Sequence, residues 1–213
     1  MSYNESLTFS NLAYLLCALV LVVQGYRLKR NAYYWSWEIS EYVMLCIISS
    51  LYHRCDSSDS IEDCIVFYDV LQFLDFFLSY IIFSTAVSPH LPREAFREFH
   101  KGIMYIITLL LNLYYFHNPN NIIIITLALL NVIAFLRFNH HRFTSLEQWK
   151  KRSTQMIVPS LLLIIAAVSC KFLAPQEIES PDDERRYVFM HSMWHALSAL
   201  ALTNFILFIE DNL

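Results

Sequence analysis

Charge is scarce in this sequence: Asp, Glu, Lys and Arg make up 16% of its 213 residues, where a soluble domain carries nearer a quarter. The charges that occur are bunched between apolar runs rather than spread along helix faces. That pattern argues against an ordinary soluble helical bundle. The net charge is −4 and no basic tract is present, which speaks against a nucleic-acid surface. Nor is a cleavable secretory signal expected. The opening MSYNESLTFSN has no basic n-region, and the apolar run behind it is long enough to read as a retained first span. No linker, short repeat or change of composition marks a boundary, so a single domain over residues 1–213 is expected.

What the sequence has in plenty is apolar surface: 56% of residues are hydrophobic and the mean hydropathy is +0.40. Seven stretches are long enough to cross a hydrocarbon core of about 30 Å. They run approximately Leu7–Tyr26, Tyr33–Tyr52, Cys64–Val87, Phe99–Phe116, Ile122–Phe138, Thr154–Leu173 and Val188–Ile209. Turn-forming residues separate several of them: Ser88-Pro89, Asn118-Pro119-Asn120, and Pro175 with Pro181. The expected fold class is therefore all-α, a polytopic bundle of seven transmembrane helices.

Basic residues orient such a bundle, because Lys and Arg accumulate on the inner side. With the N-terminus outside and the C-terminus inside, eleven of the fifteen fall in inner loops: Arg27, Lys29, Arg30, Arg93, Arg97, Lys101, Arg137, Arg142, Lys150, Lys151 and Arg152. Only Arg54, Lys171, Arg185 and Arg186 remain outside, with the acidic loops 56–63 and 177–184. Cys55 and Cys64 then flank an outer loop between adjacent helices, in an oxidising compartment where a disulfide is expected. The alternative is two unpaired loop thiols. Cys17, Cys46 and Cys170 lie inside apolar runs and read as small buried hydrophobes.

Ionisable side chains within spans are costly and mark interior or functional positions. Here they share a level. His53 closes the second span at its outer end, with Ser49 one helical turn earlier. Asp69 and Asp75 follow in the third span, and His191 and His195 open the seventh. From helical rise, His191 and His195 lie roughly 5 and 11 Å below the outer end, Asp69 about 8 Å and Asp75 about 17 Å. Three helices thus bring polar groups into the outer half of the membrane.

His191-x3-His195 puts two imidazoles on one helix face, an arrangement that suits zinc. His53 supplies a third ligand at matching depth. Three protein ligands leave a fourth position open, as in catalytic zinc sites. Asp75 would orient a ligand or water, and Ser49 would donate to a developing oxyanion. The plainer alternatives are two interfacial histidines bonded to neighbours, a helix–helix hydrogen bond for Asp75, and close packing for Ser49. Glu38 and Glu41 are expected to pair with Arg27, Lys29 or Arg30. Tyr33, Tyr34, Trp35 and Trp37, and at the opposite face Tyr114 and Tyr115, read as interfacial belts. His90, His100 and His117 have no partner at useful spacing, and His140 and His141 sit in the basic inner loop.

The combination Ser49-x3-His53, Asp75 and His191-x3-His195 resembles the CREST superfamily of seven-span membrane proteins over nearly the whole chain. Tyr52-His53-Arg54-Cys55-Asp56, Cys64, Tyr68-Asp69-Val70-Leu71-Gln72 and Phe189-Met190-His191-Ser192-Met193-Trp194-His195 are similar to its myomaker-like branch. The resemblance implies a plasma-membrane protein that promotes myoblast fusion, engages outer-leaflet lipids, and works as a homodimer with a possible fusion partner protein. Its metal site, His53, His191 and His195 around Zn2+, would face the extracellular leaflet. Two departures stand out. The chain ends in Glu210-Asp211-Asn212-Leu213, without the cysteines of the vertebrate members' lipidated tail. Ser49 and Asp75 match the hydrolytic relatives, which keeps a zinc-dependent amidase or esterase acting on ceramide or phospholipid as the alternative. A receptor like the progestin/adipoQ group fits less well, because the expected N-terminus-outside topology is opposite to that group's.

Overall fold

The computed structural model describes residues 9–27, 32–56, 68–86, 94–114, 158–175 and 179–207, with isolated positions at 7, 64, 88, 91, 127, 130, 131, 133, 134, 147 and 155. Within these residues the protein is all-helical, with six helices and no strand. They are α1 (Ala13–Arg27), α2 (Ala32–Asp56), α3 (Tyr68–Thr85), α4 (Glu94–Tyr114), α5 (Val158–Leu173) and α6 (Pro181–Leu207). Each falls on one of the predicted spans. The fifth span, Ile122–Phe138, lies largely outside the described residues, as do the inner-loop residues Lys29, Arg30, Arg93, Arg137, Arg142, Lys150, Lys151 and Arg152. Also outside are His90, His117, His140, His141, Tyr115 and the side chains of Tyr33, Tyr34 and Trp35.

Among the described residues, no helix is long and apolar enough to cross a membrane. The shortfall has two sources. The described parts of α1 and α5 have 15 and 16 residues, about 22–24 Å of rise. The longer helices carry charge: Glu38 and Glu41 in α2, Arg97, Glu98 and Lys101 in α4, and Asp182 to Arg186 at the start of α6.

The helices pack in the order α5–α6–α1–α2–α3–α4, so the first helix is wedged between the last and the second. Its sequence explains the position. Tyr14, Cys17, Ala18, Leu21, Gln24 and Gly25 are buried, a stripe at helical spacing. Around it gather Tyr42 and Leu45 from α2, Ile82 from α3, and Ala199, Leu202 and Ile206 from α6. Polar pegs cross the same seam. Cys17 Sγ donates to Ala199 O at 3.3 Å, and Gln24 Nε2 donates to Leu207 O at 2.9 Å. Cys17 is thus a weak donor as well as a small hydrophobe.

The α6 start differs from expectation. The sequence places Pro181 in a break between spans, yet it is the first residue of the helix. Ser180 accepts from Asp183 N at 3.2 Å and donates to Asp183 Oδ2 at 2.6 Å. This is an N-cap, and proline in the first turn loses no hydrogen bond. Half of the acidic loop is therefore the first turn of α6, where Asp182, Asp183 and Glu184 face the positive end of the helix dipole.

Among the other pairings, those of Glu38 and His100 depart from the sequence reading. Glu38 pairs with the buried Lys101 of α4, which also bonds Glu98 at 3.4 Å. The expectation had been Arg27, Lys29 or Arg30. His100 is buried and shares a 2.8 Å hydrogen bond with Ser88. Trp37, expected to be an anchor, is exposed and bonds the Tyr105 hydroxyl; Tyr114 is exposed. The Cys55–Cys64 disulfide is formed and ties the end of α2 to the approach of α3. It packs beside Tyr52, Tyr68 and Leu71.

Candidate metal centre

His53 stands in the last turn of α2, while His191 and His195 are one turn apart on α6. Both helices pack on α1, and their polar faces meet beside its N-terminal end. The three rings form a triangle. Centroids lie 4.7 Å apart for His53–His191, 5.4 Å for His53–His195 and 4.7 Å for His191–His195. One ligand nitrogen from each lies within 4.8 Å of the others, and all three side chains are buried.

The donor set suits a metal ion. A tetrahedral ion bound at 2.0–2.1 Å holds its nitrogens roughly 3.3 Å apart, so nitrogen shifts of up to about 1.5 Å would close the set. Nδ1 of His191 is buried with no hydrogen-bond partner among the described residues. A buried imidazole nitrogen in that state is costly unless it is ligated or bonded. These three histidines could therefore hold a metal ion.

The other predicted site residues divide. Ser49, one turn before His53, and Asp75 of α3 are both buried, and the Ser49 hydroxyl is placed to hydrogen-bond the Asp75 carboxyl. Asp75 Oδ1 is itself buried with no partner among the described residues. Asp69, by contrast, is exposed on the first turn of α3 and takes no part. The predicted level of polar groups thus includes Asp75 and excludes Asp69, because six residues turn a helix by nearly two-thirds of a full rotation beyond one turn.

Four neighbours were missed by sequence reasoning. Lys171, counted only among the outer-side charges, sits at the end of α5 within electrostatic range of His53, Asp75, His191 and His195. The Tyr187 ring is 5.2 Å from that of His191, and the Tyr14 ring is 5.9 Å from that of His195. Ser10 Oγ lies 2.9 Å from His195 Nδ1. Only Tyr187 left a local signal, being four residues before His191. The others come from helices distant in sequence.

The family model described as "Protein of unknown function (DUF3522)" matches residues 6–196, most of the chain, and ends one residue beyond His195. No curated protein matches the chain.

Proposed function

The chain belongs to the DUF3522 family, and we propose that it is a multi-pass plasma-membrane protein that holds zinc on His53, His191 and His195 toward the outer leaflet and engages lipids there to promote cell–cell fusion. One observation carries the membrane part of this reading: α4 is amphipathic with its polar stripe turned inward. Arg97, Lys101, Thr108 and Asn112 are buried, whereas Ile106, Leu109, Leu110 and Leu113 are exposed. α1 and α5 likewise turn Leu15, Leu16, Leu19, Leu161, Leu162 and Ile165 outward. In water this arrangement is unfavourable on both counts, since it exposes apolar area and buries polar groups. In lipid it is the expected one. Glu38, Glu41, Arg97 and Lys101, four of the charges that lower the apolarity of α2 and α4, are turned inward, whereas Glu98 and the charges that open α6 lie toward helix ends.

The fusion role rests on the likeness to the myomaker-like branch in the second, third and seventh helices. Its partners on this reading are membrane lipids, a second copy of the chain, and a fusion partner protein. Expression on fusion-deficient myoblasts is expected to restore multinucleate cells, and His53→Ala is expected to abolish the effect at equal surface level. Normal surface display with no fusion would overturn the role.

A second reading, a zinc-dependent lipid hydrolase, is favoured by the buried Ser49–Asp75 pair beside the histidine-bearing turn of α2. Zinc bound to three histidines supplies a Lewis acid and an acidified water. Asp75 would accept or hold a proton, Ser49 would fix the Asp75 carboxyl, and Lys171 would attract an anionic headgroup. Purified protein is then expected to turn over a ceramide or glycerophospholipid, with Asp75→Asn keeping its zinc but losing turnover. No product from a broad lipid panel would remove this reading and leave the first intact.

A further inference from the structure

Ser10 carries a single hydroxyl hydrogen and makes two contacts. Its Oγ is 2.7 Å from Leu7 O and 2.9 Å from His195 Nδ1. A carbonyl oxygen only accepts, so the hydrogen is committed to Leu7. The second contact must then run the other way, with His195 Nδ1–H donating to a Ser10 lone pair. A neutral imidazole has one N–H. With the proton on Nδ1, the lone pair of His195 is on Nε2, the nitrogen left free to ligate.

The local backbone makes this arrangement durable. Bonds from Leu12 N to Phe9 O and from Tyr14 N to Asn11 O, at 3.1 and 3.0 Å, form tight turns just before α1. They hold Ser10 against α6, while Leu7 is buried at 1% exposure. Four residues on, Tyr14 places its ring against the same imidazole. His195 is thus gripped at Nδ1 and across its ring by the chain's opening segment.

We infer that Ser10 is a positioning residue for the metal centre: it fixes His195 in the Nδ1–H tautomer and presents Nε2 to the ion. The inference rests on the proposed zinc site and adds to the two ligand-bearing helices a third contributing segment, the stretch just before α1. Partners of this kind orient ligating imidazoles, and their loss typically weakens metal binding by about 10–100-fold.

The test uses the full chain and the Ser10→Ala and Ser10→Thr variants. Zinc affinity is measured by competition with a chromophoric chelator, and the tautomer by 15N NMR of histidine-labelled, metal-free protein. Ser10→Ala is expected to bind zinc roughly 10–100-fold more weakly and to lose the Nδ1–H signature at His195. Ser10→Thr, which keeps the hydroxyl, should restore both. Thermal melts without metal separate positioning from folding, since a positioning role predicts that Ser10→Ala still folds cooperatively, with a modest loss for the unpaired Nδ1–H. Equal zinc affinity in wild type and Ser10→Ala would overturn the inference alone. So would an Nε2–H tautomer at His195 in the wild type. A wild type that takes no zinc would overturn the metal reading and this inference together.

Discussion

The ring of His53 meets that of His191 edge-on, at an interplanar angle of 89° with centroids 4.7 Å apart. One belongs to the second helix and the other to the last, and α1 packs against both of those helices. Edge-on contact lets a nitrogen of one ring approach the other's, as common ligation requires. The histidine cluster therefore joins the second helix to the last, and a metal bound there should act as a clasp.

Removing one jaw of the clasp is the most direct check. His53→Ala is expected to lower bound zinc from about one equivalent to near zero, because two remaining imidazoles leave the tetrahedral set half filled. It should also abolish the rise in melting temperature that zinc is expected to give the wild type. Elemental analysis and thermal melts with and without chelator read both. A variant that keeps its zinc would remove His53 from the ligand set.

The Cys55–Cys64 disulfide closes a short loop, with a sequence separation of 9. Loop-closure entropy for that length corresponds to about 2–3 kcal/mol. The double substitution Cys55→Ala/Cys64→Ala is expected to destabilise the protein by about that amount. Because Cys55 is two residues from His53, zinc affinity should fall as well. Denaturant titration and chelator competition measure the two effects separately.

The buried Glu38–Lys101 pair offers a sign test away from the centre. Both side chains are nearly excluded from solvent, so removing one charge strands the other. Lys101→Met is expected to cost about 3–5 kcal/mol. The double variant Glu38→Gln/Lys101→Met should recover much of that loss, since it leaves no uncompensated member of the pair. An additive double variant would show that the two charges do not couple.

Lys171 should push two properties in opposite directions. Its ammonium lies within electrostatic range of all three histidines, so it opposes a bound dication. Lys171→Met is expected to tighten zinc binding several-fold, an effect that shrinks as salt is raised. The same change should weaken binding of a short-chain anionic phospholipid to the detergent-solubilised protein. Isothermal titration reads both arms, and parallel rather than opposite changes would contradict this placement of the charge.

Helix positions were legible in the sequence because apolar runs and turn residues report them locally. The six described helices lie on predicted stretches, and only their ends moved, most of all at Pro181, where the Ser180 cap decides. The disulfide was legible from loop spacing. His53, Ser49, Asp75, His191 and His195 stood out as ionisable or hydroxyl groups repeated at helical spacing inside apolar text.

The remaining features depend on which helix neighbours which, and spacing along a chain does not encode that. Ser10 and His195 are 185 positions apart, Lys101 and Glu38 63 apart, and each pair exists only because packing brings their helices together. The sequence by itself therefore determined the elements and the set of chemically capable side chains. Tertiary structure alone decided that Asp75 rather than Asp69 faces the three histidines, that Ser10 grips one of them, and that Lys171 stands nearby. The physical reason is that side-chain direction around a helix axis is local, whereas the choice of facing partner follows from burying the whole bundle at once.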